Sequence, residues 1–415
     1  MSVVILHRGY VLELIHLLES IPFAKQVTVL LSKEKLSKLC MGQLKKLEAL
    51  TQSFHVIERY DCSSKIEQCI YQLSQKMTIQ CVFACAEFDM YRAERIKAWL
   101  GLEYIDEEVL KRFRNKIRMK DYFSSKGVNV TNYQAVHSVL DLYQFADCHG
   151  FPLVFKQQEG GGGVGTKILC SEEDIEKLSP SNFKINAFTE PALMVECYTK
   201  GALYHVDGFA CSNKVLYLSC GEYINGFIQD FDAGRSLGSI LLSEQSEIFH
   251  LLKKYHQNVI DVCELNTLFS FHAEYFIHEG KVTLCEIACR TGGAEINLAN
   301  RLLRNIDINS WLLCSSFDRE PKEVSAKNIQ YSGGWIVHSI GHEAKKIKEM
   351  PHECDLSFVK AYKALVSEGD LLEPAISNIQ GLCHGVFSSD NEAQAKEHFK
   401  VFDNWAKENF ILRFD

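Results

Sequence analysis

Over its first hundred residues the chain alternates short apolar runs with longer stretches of mixed polarity. "SVVIL", "QVTVLL", "SFHVIERY" and "QCVFAC" are short and β-branched or apolar, which predicts strands. Between them, "VLELIHLLES" and "KIEQCIYQLSQKM" have amphipathic patterns, which predict helices. That alternation implies a small parallel sheet with flanking helices. The charged pattern from Asp106 to Lys126, closed by Gly127, predicts one helix leaving this unit.

From Phe151 the texture changes. "PLVFKQ" and "TKILC" are strand candidates on either side of a glycine run, "SEEDIEKL" is a short helix, and "ALMVECY" is a further strand. "LYHVDGFAC" and "KVLYLSC" are joined by "SNK", a hairpin signal. A helical stretch from Ser243 to Cys263 precedes a second hairpin, "FSFHAEYFI", "HEG", "KVTLCEIA". After Arg319, "GGWIVHSIG" and "GLCHGVFSS" are strand candidates, and the chain closes on a helix. No repeat or low-complexity linker interrupts it. The expected fold class is α/β, in three intimately packed modules.

Composition sets the outer bounds. The 415 residues are 47% hydrophobic and 24% charged, as in ordinary globular chains. At roughly 150 residues per domain, two or three domains are expected. Net charge is −8, with no dense basic block beyond "KRFRNKIRMK", which argues against nucleic acid as the main partner. The 16 cysteines are irregularly spaced without a CxxC pair, so they read as reduced thiols. His7, Arg8 and Glu13 interrupt the apolar start, which therefore reads as strand, turn and helix and not as a signal peptide. No run approaches the ~18 apolar residues of a membrane span. A cytoplasmic protein without a membrane partner is expected.

Four consecutive glycines, Gly160 to Gly163, separate two of the strand candidates. A Walker A loop is excluded because Gly165-Thr166-Lys167 reverses its order. Gly160, Gly162 and Gly165 match GxGxxG, but that motif opens a helix and "TKILC" reads as a strand. A glycine-rich hairpin loop can still fold its backbone N–H groups over a phosphate, with Lys156 adding a point charge. Taken alone, the stretch is equally compatible with a solvated surface loop.

The second hairpin is more specific. With its turn centred on Gly280, Glu274 faces Glu286 on one side of the sheet. Like charges across a ladder are destabilising unless a cation lies between them, and hard oxygen ligands suit Mg²⁺. This reading requires an odd-length loop, because an even one puts the two glutamates on opposite faces. Arg290 lies four residues beyond Glu286, an even step that allows it the same face.

In order, "RNKIRMKDYFSSKGV", "FPLVFKQQEGGGGVGT", "LMVECYTKGALYHVDG" and "FHAEYFIHEGKVTLCEIACRTGG" resemble the ATP-grasp superfamily, within it the carboxylate–amine ligases similar to bacterial L-amino acid ligases. The likeness covers roughly residues 110 to 300. It implies an N-terminal Rossmann-like domain (1–105), an ATP-grasp domain (106–318) whose glycine-flap lobe spans about 125–200, and a small C-terminal lobe (319–415). Two lobes would clamp ATP. Lys116 and Lys156 resemble the lysines that hold the nucleotide phosphates, and Gly161, Gly162 and Gly163 the flap that closes on them. Glu196, Cys197 and Tyr198 fall on the segment that meets adenine, with Glu196 toward its amino group. Glu274 and Glu286 match the Mg²⁺ ligands, Glu286 bridging two ions, with Mn²⁺ as a substitute. Arg290 matches the arginine that steadies the acyl phosphate or tetrahedral intermediate.

Two positions depart from the pattern. Leu203 stands where many relatives have a ribose-binding acid, and Ala288 where an asparagine ligand is common. Asp207 and His272, polar on apolar strands, are candidates for the substrate pocket or for supporting the ligands. The activity implied is an ADP-forming ligase that activates a carboxylate, in the resemblance an amino acid, as an acyl phosphate for attack by an amine. Its partners would be small molecules, with a homodimer in keeping with the relatives. Two alternatives stay open: a different acyl acceptor, or a nucleotide-binding regulator without turnover.

Overall fold

The structure, a computed structural model, describes residues 2–9, 11–36, 41–178, 183, 192–226, 230, 233–320, 332–341, 343, 345–375, 377 and 380–413. Strands β1 (Val3–His7), β2 (Val27–Ser32), β3 (Ser53–Ile57) and β4 (Cys81–Ala84) form a parallel sheet in the order β3-β2-β1-β4. β1 and β2 are buried along their whole length, which is why they read as continuous apolar runs without alternation. The order places a topological switch between β1 and β4, where open sheets of this kind leave a crevice at the strand ends. Glu87 lies in the turn just beyond β4.

The single helix expected over 106–126 is two helices, Glu107–Lys111 and Lys116–Ser125. Asn115 breaks the run. Its side chain accepts from the amides of Ile117 and Arg118, capping a new helix whose first residue is Lys116.

Strands β5 (Tyr133–Val136), β6 (Leu153–Gln157), β7 (Lys167–Leu169) and β8 (Leu193–Cys197) make an antiparallel sheet in the order β5-β8-β6-β7. β6 and β7 are the arms of a hairpin, and the glycines lie in its loop. Leu142, Phe145 and Ile175 from two covering helices pack on Val136, Leu153, Phe155 and Val195.

The largest sheet has eight strands. They are β9 (Ala202–Cys211), β10 (Lys214–Ile224), β11 (Leu237–Leu241), β12 (Phe269–His278), β13 (Lys281–Ala288), β14 (Ser332–Ser339), β16 (Val359–Ala364) and β18 (Gly381–Ser389), in the order β13-β12-β9-β10-β11-β14-β18-β16. β14, β16 and β18 come from beyond Arg319, so the C-terminal segment extends the central sheet. A small sheet of β15 (Lys345–Glu349), β17 (Leu371–Leu372) and β19 (Ile411–Arg413) completes it. The turn from β9 to β10 is the pair Ser212-Asn213, both at positive φ, and Lys214 already belongs to the strand. Among the described residues, no helix is long and apolar enough to cross a membrane.

Strand alternation divides the work of this sheet. Phe271, Ala273 and Tyr275 of β12 face a core shared with Phe249, Leu252 and Ile260 of the helix Glu247–Asp261 and with Phe123. His272, Glu274 and Phe276 alternate with them and line an open cavity on the other side.

The β12–β13 hairpin reaches its pairing by an unexpected route. Its turn is even, the two residues Glu279 and Gly280, and the pairs from His278–Lys281 to Tyr275–Leu284 sum to 559. In that register Cys285, not Glu286, would stand opposite Glu274. A bulge between the Tyr275–Leu284 and Glu274–Glu286 pairs adds one residue and brings the two glutamates face to face. The expected odd loop is thus replaced by an even loop and a bulge.

Backbone proximity limits side chains nearby. A Cβ on Gly208 of β9 would lie 2.0 Å from the Tyr217 carbonyl oxygen and 2.9 Å from the Phe271 ring. Gly208→Ala is expected to lower unfolding free energy by roughly 1–3 kcal/mol, as overpacking does. Urea titration showing no loss would contradict this packing.

Candidate active site

The two paired carboxylates anchor the cavity floor. The Tyr223 hydroxyl donates to Glu274 Oε1 at 3.0 Å, and Lys116 Nζ lies 3.2 Å from Glu286 Oε2. Burial alone would raise the Glu286 carboxyl; the charges of Lys116, Lys156 and His272 override it and hold the group well below the usual carboxylate range. Two carboxylates paired on one face supply hard oxygen donors, a set that fits Mg²⁺.

Lys156 and Lys120 flank a third acid. Lys156 donates to Glu196 Oε1, while Lys120, fully buried, lies 3.0 Å from Glu196 Oε2 and donates to Thr131 Oγ1 at 2.8 Å. Both oxygens of Glu196 are therefore engaged by cations within the wall. Burial pushes the Glu196 carboxyl up, but the two ammoniums outweigh it and bring it down to about 2. Lys120, four residues after Lys116 in "RNKIRMK", escaped the sequence reading. Cys197 and Tyr198 line the cavity with Glu196, and their amides donate to the carbonyls of Asn132 and Pro152.

The glycine loop arches over this floor. Gly162, Gly163 and Gly165 all have positive φ, so the loop uses the backbone freedom of its composition. Lys116 Nζ donates to the Gly160 carbonyl at 2.8 Å, and the Ser377 hydroxyl donates to that of Gly162 at 3.0 Å. A Cβ on Gly161 would meet Glu87 Oε2 at 3.9 Å. That glutamate accepts from Arg290 Nε at 2.7 Å and also pairs with Arg114. Arg290 Nη1 donates to the Thr291 carbonyl at 3.0 Å. Glu87 gave no signal in the sequence, because it is a single acid in a turn 203 residues before Arg290.

The enclosed space is about 280 Å³, with Lys116, Lys156, Gly160 to Gly163, Glu196, Glu274, Glu286 and Arg290 along its walls. Residues 115–206 match the family model described as the carbamoyl-phosphate synthase L chain, ATP binding domain. The L-arginine-specific L-amino acid ligase of Bacillus subtilis is 21% identical over 306 residues, 72% of this chain and 73% of that protein. The crystal structure of an L-amino acid ligase from Bacillus licheniformis superposes with a TM-score of 0.72 at 14% identity, over 100% of this chain and 98% of that one. A biotin carboxylase domain from Hydrogenobacter thermophilus, crystallised as a dimer with MgADP and bicarbonate, gives a TM-score of 0.69 at 15% identity, over 99% and 90% of the two chains.

The chain has the ATP-grasp fold.

One buried network of this ATP-grasp site lies behind the carboxylates. Asp207, fully buried on β9, contacts His205 Nδ1 at 2.5 Å and His272 Nδ1 at 2.8 Å. His205 Nε2 lies 2.6 Å from Ser239 Oγ, and His272 Nε2 lies 3.4 Å from Glu274 Oε1. Burial would lower the His272 pKa, but Asp207 and Glu274 lift it to about 10. His272 is thus an imidazolium with an acid at each nitrogen. Asp207 also abuts the loop after Arg290, since a Cβ on Gly292 would lie 2.2 Å from Asp207 Oδ1. Of the two residues expected from the sequence, both belong to this network. His205, two residues before Asp207 on the same strand face, gave no signal in the sequence.

The pH dependence of stability follows from Glu196. Its carboxyl falls from an ordinary 4.5 to about 2 on folding, so the stabilisation is complete above pH 4.5 and disappears as pH falls toward 2. The whole effect is roughly 3 kcal/mol at 1.4 kcal/mol per unit. Denaturant unfolding followed from pH 6 to 2.5 should show that loss, and Glu196→Gln should flatten this part of the profile.

Proposed function

We propose that this chain is an ADP-forming ligase that joins a carboxylate, in this reading an amino acid, to an amine. The observation that carries the reading is the pair Glu274–Glu286, aligned by a bulge beneath a glycine loop, with Lys116 touching both the acid and the loop. ATP would lie with its phosphates between the loop and the hairpin, met by Lys116 and Lys156, and its base toward Cys197 and Tyr198. Glu274 and Glu286 would hold two Mg²⁺ ions, with Mn²⁺ as a substitute. When bound, the metal offsets charge on the phosphoryl group in transfer.

In this reading a carboxylate oxygen attacks the γ-phosphorus and the bond to the bridging oxygen breaks, releasing ADP and forming an acyl phosphate. An amine nitrogen then attacks the acyl carbon, phosphate leaves, and the nitrogen loses a proton. Arg290, anchored at Nε and Nη1, would present its remaining donors to the oxyanion, where fixed donors act most strongly. The closed loop would exclude the water that otherwise hydrolyses the acyl phosphate. Because Glu196 is held by Lys120 and Lys156, its part would be to fix Lys156 beneath the phosphates. Residues 106–318 would form the nucleotide-binding unit, between an N-terminal domain at 1–105 and a lobe at 319–415. A cytoplasmic homodimer acting on small molecules completes the reading.

Glu286→Gln and Arg290→Ala are each expected to reduce amine-dependent ADP release at least 100-fold, with the thermal unfolding transition still cooperative. Turnover at the unmodified rate would remove the altered residue from the mechanism. ADP release that never depends on an acid–amine pair would reject the ligase reading itself.

A further inference from the structure

The cavity does not stop at the carboxylates. From Glu274 on β12 it continues across β9, β10 and β11 to β14, where Trp335 forms part of its wall. Tyr223 bridges the two ends, its hydroxyl 3.0 Å from Glu274 Oε1 and its ring centroid 6.3 Å from that of Trp335, so the apolar wall begins one ring's length beyond the acids. The lining changes character along this path. Lys116, Lys156 and Glu196 lie at the nucleotide end; Tyr223, Leu237, Ile296 and Trp335 line the far end. Leu237, Ile296 and Trp335 are buried, at 5%, 2% and 1% exposure, and the Trp335 and Tyr223 rings meet edge to face at 6.3 Å.

Two polar groups stand at that end. The Tyr223 hydroxyl donates back to Glu274. Trp335 Nε1 is a buried donor with no acceptor among the described residues. No carboxylate beyond Glu274 and Glu286 lines that half of the cavity among the described residues. A charged side chain lodged there would lose its water and find no counter-ion among the described residues, whereas an apolar one would be buried against aromatic and aliphatic walls.

From this we infer that the activated carboxylate belongs to an acid with a large apolar or aromatic side chain, seated among Tyr223, Leu237, Ile296 and Trp335. The inference deepens the ligase reading and rests on it. It also sets this chain apart from its arginine-specific relative, because among the described residues a guanidinium would have no acid to meet at the far end. The carboxylate end stays near Arg290 and the two glutamates; the side chain extends away across the sheet.

The test uses hydroxylamine as the amine, so that any acyl phosphate is trapped as a hydroxamate whatever the natural acceptor. With the unmodified protein, ATP and Mg²⁺, hydroxamate formation from phenylalanine, leucine and methionine is expected to exceed that from arginine, lysine, aspartate and glutamate at least 50-fold in kcat/KM. Leu237→Trp, which narrows the same space, should reduce kcat/KM for phenylalanine at least tenfold more than for alanine. Equal or better use of charged acids would overturn the side-chain assignment while leaving the ligase reading standing. So would a Leu237→Trp protein that folds and keeps the parent's ratio. No hydroxamate from any acid, with no ADP released, would reject the ligase reading, and this inference with it.

Discussion

Two carboxylates held face to face on one ribbon repel each other, and the surroundings of Glu274 and Glu286 are arranged around that repulsion. At close range in a partly dehydrated site it is worth far more than in water. Lys116 stands beside Glu286, and the His272 imidazolium beside Glu274. Tyr223 adds a neutral donor. The bulge at Cys285 is what creates the confrontation, since without it a thiol would stand where one acid does. Backbone irregularity, charge placement and ligand geometry are thus one arrangement, and each part is idle without the others.

The same economy of contacts ties distant segments to this ribbon. Glu87 of the N-terminal unit sits between Arg114 and Arg290, so one anion fixes the approach to Lys116 and the loop after Glu286 together. Asn115 caps the helix that begins at Lys116 and also donates to Gln158 Oε1 at 2.8 Å, at the base of the glycine loop. Ser377, from the C-terminal segment, holds the loop's far side. In the proposed ligase an entering nucleotide would displace or share these contacts. The closed loop is therefore held by a few hydrogen bonds at its rim, while the floor is held by strand pairing throughout.

Features with a local cause were legible in the sequence. Apolar alternation placed the β12 and β13 strands, and four glycines between strands placed a loop that needs positive φ. The Glu274–Glu286 pairing was reached by assuming an odd loop; the protein uses an even one and corrects it with a bulge, which periodicity does not encode. Asn115 ended a helix that charge pattern alone ran through, because a cap competes with propagation only where its side chain finds the free amides. Lys120, His205 and Glu87 were silent for a shared reason. Each acts through a partner brought near by tertiary folding, across 76, 34 and 203 residues respectively. A tertiary polar contact leaves no periodic trace in either partner's segment.

Ala288 is where local and distant effects meet. It pairs directly with His272 in the β12–β13 ladder, so the small residue faces the ring of the Asp207 network that reaches Glu274. An asparagine at 288 would crowd that ring and offer a neutral oxygen. Alanine leaves room for a charged imidazole that cannot ligate through either nitrogen while Asp207 and Glu274 hold both. The His272 ring, opposite that alanine, thus steadies Glu274 Oε1 without competing for its remaining oxygen. In the proposed ligase a second cation would rely chiefly on Glu286 and the phosphates, which would tie its binding to the presence of nucleotide.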